Sequence, residues 1–150
     1  MTNHCEEMFS KSVNACPHLW YLKLQVNQLA HKPMPADYIV LSRSMRYLVE
    51  CKEVDLTRTH KKFEFARLTQ ENDLRIFQDK FDANAAFVLI LIWRGRFAKS
   101  SAFMIPLDGY LKWKEIIGKK SMNENDMESS FGTYKKTLDP KGFMYMEDLK

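Results

Sequence analysis

Cysteine is scarce in this chain and histidine is scattered, and each shortage removes a class of protein. Cys5, Cys16 and Cys51 are odd in number and form no Cys-x-x-Cys, which favours a reducing cytoplasm over a secreted disulfide framework. His4, His18, His31 and His60 stand apart, with no zinc spacing among them. Long apolar runs are missing too. The longest, residues 85–93, is half the length of a membrane helix, so no membrane partner is expected, and no signal peptide is visible. There is no internal repeat and no base-reading motif. The net charge of +4 is too small to mark a nucleic-acid binder by itself.

What remains is ordinary soluble composition with a local pattern inside it. A chain of 150 residues, 45% hydrophobic and 28% charged, suits one domain with a sizeable core. Asp37 is followed thirteen positions later by Glu50-Cys51-Lys52, at the end of the apolar run Tyr47-Leu48-Val49. In a strand, Leu48, Glu50 and Lys52 share one face while Tyr47, Val49 and Cys51 take the other. Asp37 opens a second apolar run, Tyr38-Ile39-Val40-Leu41, and Ser42-Arg43-Ser44-Met45 is long enough to turn the chain back. An antiparallel pair of these runs brings Asp37 to Glu50, since cross-strand neighbours lie about 5 Å apart. Two carboxylates and a lysine can build a magnesium site that cuts phosphodiesters, because hard cations prefer carboxylate oxygens.

Glu-x-Lys is a cheap pattern, and the chain contains a decoy. Asp126 precedes Asp139-Pro140-Lys141 by the same thirteen residues. Proline cannot donate to a strand ladder, Gly142 follows, and no apolar run leads in, so the decoy fails on context. For the first copy two readings stand: a metal site, or a Glu50–Lys52 pair on a solvated strand face. The N-terminus bears on that choice. Apolar residues at 5, 8, 9 and 13 have helical spacing. Glu6 continues the stripe through Phe9 and Val13, whereas Glu7 points with Ser10, Lys11 and Asn14 toward water. Glu6 is then either a carboxylate favoured by the helix dipole or a third metal-site acid.

The order of these stretches resembles a known family. Glu6-Glu7-Met8-Phe9-Ser10-Lys11-Ser12, Trp20-Tyr21-Leu22-Lys23-Leu24, Asp37-Tyr38-Ile39 and Leu48-Val49-Glu50-Cys51-Lys52 follow one another. Phe65-Ala66-Arg67-Leu68-Thr69 then leads into a helix, and Ala86-Phe87-Val88-Leu89-Ile90 into a strand. This looks like the Holliday-junction-resolvase branch of the PD-(D/E)xK nucleases, nearest the bacterial and phage resolvases, over roughly residues 5–117. The resemblance implies an α+β fold with a restriction-endonuclease-like core, a mixed central β-sheet flanked by helices. It also implies a homodimer in a bacterial or phage-infected cell. The implied activity is magnesium-dependent cutting of branched DNA at four-way junctions, manganese substituting, with a 5′ phosphate on the product. Asp37 and Glu50 would hold the metal with the Cys51 carbonyl and Glu6, and Lys52 would orient the attacking water. The same fold also cuts linear or flapped DNA, and a non-catalytic DNA-binding module is a further alternative that has no need of the intact trio.

Three departures accompany the resemblance. The family proline before the first aspartate is displaced, with Pro35-Ala36 before Asp37. The usual glutamine at the next helix start is replaced by Asn72, with Gln70 close by. Only residues 26–36 are available for the projection that enters a junction centre.

Charge is distributed around the trio. Arg43, Arg46, Arg58, Lys61, Lys62 and Arg67 bracket it, and Arg94, Arg96 and Lys99 follow the next strand. Most lysines and arginines only solubilise a surface, but a subset beside an acidic site is what a phosphate backbone needs. Gln70 and Asn72 complete the expected DNA contacts.

The expected element order is α-β-β-β-α-β-β-α. A helix spans 4–14, strands lie near 19–25, 37–41 and 46–52, and residues 31–35 and 53–63 are loops. Thr69 caps a helix with a stripe of Leu74, Phe77 and Phe81. A doubly buried strand covers 86–93, Gly95 turns the chain into a strand near 101–105, and a helix from Pro106 ends at Ile117. Trp113, Ile116 and Ile117 are assigned to the core. Residues 123–130 are expected to be irregular, and the aromatic segment 131–150, part of an extension from 118, docks on the body or on a second subunit.

Overall fold

The computed structural model describes residues 3–24, 36–58, 62–81 and 85–146. The expected loop at 31–35, most of the segment 26–36, and Lys61 lie outside the described residues. Helix α1, His4–Asn14, starts at Asn3, whose side chain accepts from Glu6 N at 3.2 Å, a common N-cap arrangement. Strands β1 (Trp20–Lys23), β2 (Tyr38–Leu41) and β3 (Arg46–Asp55) then form an antiparallel meander. After β4 (Lys62–Glu64) and helix α2 (Glu71–Phe81), strand β5 (Ala86–Trp93) returns parallel to β3. Strand β6 (Ser101–Pro106) leads directly into α3 (Leu107–Ile117), followed by β7 (Ser121–Asn123), α4 (Glu124–Phe131) and β8 (Lys135–Lys136). The main sheet runs β1-β2-β3-β5-β6-β8, and β4 pairs with β7 apart from it. The mixed α+β sheet expected from the sequence is present.

Strand β5 is buried along its whole length, because helices cover both faces of the sheet at its centre. One face packs on α1, through Cys5, Met8, Phe9 and Val13 against Val49, Cys51, Leu89 and Leu91. The other packs on α2 and α3, through Leu74, Leu107 and Tyr110 against Leu48, Val88, Ile90 and Phe103. A continuously apolar strand therefore reads as one buried on two sides. No described helix is long and apolar enough to cross a membrane.

Four expectations are corrected. Strand β3 extends to Asp55 rather than stopping at 52, because Glu53, Val54 and Asp55 keep pairing with Leu91, Ile92 and Trp93. Helix α2 begins at Glu71, and the Gln70 carbonyl accepts from Leu74 N at 3.0 Å. Gln70 rather than Thr69 thus holds the capping position. Ile116 is 75% exposed, since only the Tyr110 side of α3 faces the sheet, while Trp113 and Ile117 are partly buried. Residues 124–131 are helical, not irregular. Asn123 accepts from Asp126 N at 2.9 Å and the Asp126 carboxylate accepts from Asn123 N at 3.0 Å, a reciprocal box that starts a helix despite its polar composition.

The segment after Phe131 docks on the body of the same chain. Met144 and Met146 are buried with α1, and Met144 N donates to Ser12 Oγ at 2.8 Å. Gly142 has φ +87°, and a Cβ there would stand 2.7 Å from the Phe97 ring, so this strap needs glycine for both its turn and its approach.

Candidate active site

The site lies where β2 and β3 part company. The ladder places Tyr38 opposite Val49, so one step further Asp37 faces Glu50. There the backbone partner changes: the Asp37 carbonyl accepts from Leu24 N at 2.8 Å, and its carboxylate accepts from Cys51 N at 2.8 Å. Asp37 is fixed by two strands at once, with its side chain turned onto β3.

Glu50 is only 1% exposed, and its Oε1 has no partner among the described residues. Its Oε2 lies 3.5 Å from Lys52 Nζ. Burial, then a hydrogen bond to Asp37 and the charge of that carboxylate, pushes the Glu50 carboxyl up to about 8, and Lys52 only partly offsets this. Two acids and one lysine in a dry setting are short of positive charge. The solvated-face reading is thereby excluded for this pair: Glu50 is buried and the Lys52 side chain is only 18% exposed.

Cys51 points the other way, into the core beside Cys5, and burial holds its thiol well above the usual range. Its contribution to the site is its backbone. Glu53, next on that face, accepts from Cys5 N at 3.2 Å and stands 3.2 Å from His4 Nδ1. A β3 carboxylate at the N-terminus of α1 suits the helix dipole and pins α1 to the strand that carries Glu50.

That docking sets Glu6 half-buried and Glu7 exposed, as the stripe predicted. Glu6 Oε1 is 3.6 Å from Lys23 Nζ, and the Tyr38 hydroxyl donates to the Glu6 carbonyl at 3.4 Å. Glu6, Glu7, Tyr21, Lys23 and Tyr38 line a cleft of about 340 Å³ with Asn3 and Ser10. The Tyr38 hydroxyl is raised above its ordinary range by burial, then by its titratable neighbours Cys51, Glu6 and Asp37. Among the described residues, no three His, Cys, Asp or Glu side chains converge closely enough to form a cage by themselves. Asp37 and Glu50 meet; the Glu6 carboxylate pairs instead with Lys23. Lys23 and Tyr38 were not singled out as site residues from the sequence, where the only signal for Lys23 was period-two spacing with Tyr21.

The expected DNA-contact residues are placed unevenly. Arg43, Lys62 and Asn72 are exposed. Arg46 stands over the Phe81 ring at 4.6 Å, and Arg58 pairs with Asp55 at 3.3 Å. Arg67 donates to the Glu53 carbonyl at 2.8 Å and lies over the Phe63 ring, which sets it beside the end of β3. Gln70 is half-buried, and its Oε1 has no partner among the described residues. Arg94 pairs with Glu124, while Arg96 and Lys99 are exposed. The decoy is spent on structure: Asp126 serves the α4 box, and Asp139 Oδ1 accepts from Lys141 N and Phe143 N at 2.9 Å each.

No protein-family profile and no curated protein matches the chain. Eleven chains of solved structures do. One is Hjc, a Holliday junction resolvase from the archaeal hyperthermophile Archaeoglobus fulgidus, with a TM-score of 0.55 and 13% identity over 88% of this chain and 90% of that one. The motif order pointed to bacterial and phage resolvases; the matched structure is archaeal, and the likeness carries the fold rather than that branch. The chain has the same restriction-endonuclease-like α+β fold as that resolvase.

Proposed function

We propose that this protein is a divalent-metal-dependent endonuclease that resolves four-way DNA junctions by paired nicks, acting as a homodimer. The observation that carries the reading is the buried Glu50 carboxyl, held against Asp37 and Lys52 at the parting of β2 and β3. Its unpartnered Oε1 and its need for a proton are what a cation would relieve. Asp37, Glu50 and the Cys51 carbonyl would hold magnesium, or manganese in its place, with Glu6 completing the set from α1. Bound there, the metal supplies a lowered water pKa and neutralises the leaving oxygen. Lys52, largely buried and 3.5 Å from Glu50, orients the attacking water and offsets charge developing on the phosphate. Arg43, Arg46, Arg58, Lys61, Lys62 and Arg67, with Gln70 and Asn72, draw the backbone toward these acids; recognition is then of backbone and shape. Two cuts in opposing strands need two sites facing one substrate, which a twofold dimer provides.

Cleavage of a four-way junction and of a linear duplex built from the same arms tests the substrate. Junction cleavage is expected at least about tenfold faster, with Lys62→Ala lowering the salt slope of binding by roughly one phosphate contact. Equal rates leave a nuclease that does not select junctions. No cleavage of either with magnesium or manganese leaves a binding module.

A second expectation separates the two acids of α1. Glu6→Gln should reduce metal-dependent cleavage about tenfold or more, whereas the exposed Glu7→Gln should leave it within about twofold. Equal effects in initial-rate assays would remove Glu6 from the site.

A further inference from the structure

A cleft opens on the sheet face opposite Glu50, where the segment 133–137 and Tyr145 meet β5 and β6. It holds about 280 Å³, the small end of the range for ligand sites, which suits one ring system rather than an extended chain. Phe87 of β5 and Met104 of β6 are buried and make its floor apolar. Lys136 lies opposite Ala102 in the β6–β8 ladder, so strand alternation puts it on the Met104 side. Lys135, opposite Phe103, turns to the other face and pairs there with Glu128. Thr133 and Thr137 are exposed and bring hydroxyls to the mouth.

Tyr145 closes the cleft from the strap. Met144 and Met146 on either side of it are buried, and Tyr145 N donates to the Thr137 carbonyl at 3.1 Å. The backbone is pinned while the ring stays 53% exposed. A ring held in this way is a stacking platform that loses little freedom when a planar group settles on it. No Asp or Glu lines the cleft, so its charge is positive. A free phosphate leaves the floor and the ring unused, and a neutral ring leaves the lysine unused. We infer that the cleft binds one nucleotide, its base stacked on Tyr145 above Phe87 and Met104 and its phosphate drawn by Lys136. Strand β8 lies three positions from β3, about 14 Å by strand spacing, and the cleft faces away from Glu50. Occupancy therefore does not compete with a metal there, and the inference does not depend on the nuclease reading. The nucleotide comes either free from solution or as an unpaired residue of a DNA strand; base and phosphate are the same in both.

Titration of the chain with deoxyadenosine monophosphate in chelator, followed by amide NMR spectra and calorimetry, tests the cleft. A dissociation constant of about 0.1 mM is expected, with shifts at the Thr133, Lys136, Thr137 and Tyr145 amides and none at Glu50 or Lys52. Deoxyadenosine and inorganic phosphate should each bind at least about tenfold more weakly. Tyr145→Ala should weaken binding about tenfold or more, while Tyr145→Phe stays within about twofold, because stacking needs the ring and not the hydroxyl. Lys136→Gln should weaken it about fivefold and flatten its salt dependence; Lys112→Gln, on the exposed side of α3, should do neither. Should Tyr145→Ala fail to fold, the wild-type shift map and Lys136→Gln decide the matter. A short oligodeoxyadenylate separates the sources. Binding at least about tenfold tighter than the mononucleotide through the same amides assigns the cleft to a DNA strand, and equal binding assigns it to the free nucleotide. No shifts at these amides, phosphate binding as tightly as the nucleotide, or an affinity unmoved by both Tyr145→Ala and Lys136→Gln overturns the inference. A chain that binds the nucleotide here yet cuts no DNA keeps the cleft and removes the nuclease reading, while one that cuts junctions and binds no nucleotide here does the reverse.

Discussion

Glu50→Gln, and separately Asp37→Asn, is expected to lower metal-dependent cleavage on the order of a thousandfold while junction binding holds or tightens. Each substitution removes a ligand oxygen and a charge at the same point. Phosphate is repelled by that charge when no cation is bound, so the loss of activity and the gain in binding share one cause. The Glu50 variant carries a further signature. Glutamine removes a buried group that is costly to ionise, so the metal-free protein should melt higher at pH 8 even as it stops cutting, the usual exchange of stability for a functional site. Asp139→Asn is the matched control, since that carboxylate only closes a turn, and it should cut at the wild-type rate. Full activity in Glu50→Gln, or its loss in Asp139→Asn, would move the site elsewhere.

The second large effect is a coupling of pH to stability and metal. Glu50 is raised to about 8 from an ordinary 4.5, chiefly by burial and then by Asp37. Between these two values the folded chain holds a proton that the unfolded chain releases. The stability from that proton is fully present below 4.5, falls as pH rises, and is gone above about 8. In chelator, raising the pH from about 5.5 to about 8 should therefore lower the melting temperature by roughly 5–10 °C beyond the change seen in Glu50→Gln. Magnesium competes with the proton, so it should restore stability most at the alkaline end and release close to one proton per site near neutrality. Differential scanning fluorimetry across pH, with and without magnesium, reads both. Parallel wild-type and Glu50→Gln curves would mean that Glu50 is ionised without help.

The parts of the site that were legible in the sequence are those set by short-range periodicity. Period two put Glu50 and Lys52 on one face and Cys51 on the other, and the two apolar runs fixed Asp37 opposite Glu50. Helical spacing separated the half-buried Glu6 from the exposed Glu7. Lys23 and Tyr38 escaped notice because their role depends on where α1 docks, which Glu53 decides from a different element. In the fold, α1 and β5 were readable from their apolar patterns alone. Helix α4 was not, since its composition is polar and its start rests on a reciprocal Asn123–Asp126 pairing; the Asn-x-x-Asp spacing was the signal available. Strand β3 outran its expected end because Glu53 and Asp55 look like loop residues until β5 lies alongside. Ile116 shows the converse limit, for a hydrophobic residue in a helix need not face anything.

The strap that ends on α1 also orders events in time. Ser12 Oγ donates to the Met8 carbonyl and accepts from Met144 N, across 132 positions of sequence. Helix α1 leaves a ribosome long before residue 144, yet its buried side is not complete until that residue has been made. The helix that carries Glu6 must wait in part for a segment 132 positions later, and closing so long a loop adds entropy cost and slows the last step of folding. A nascent chain would thus hold the Asp37–Glu50 hairpin well before its strap has locked α1 in place.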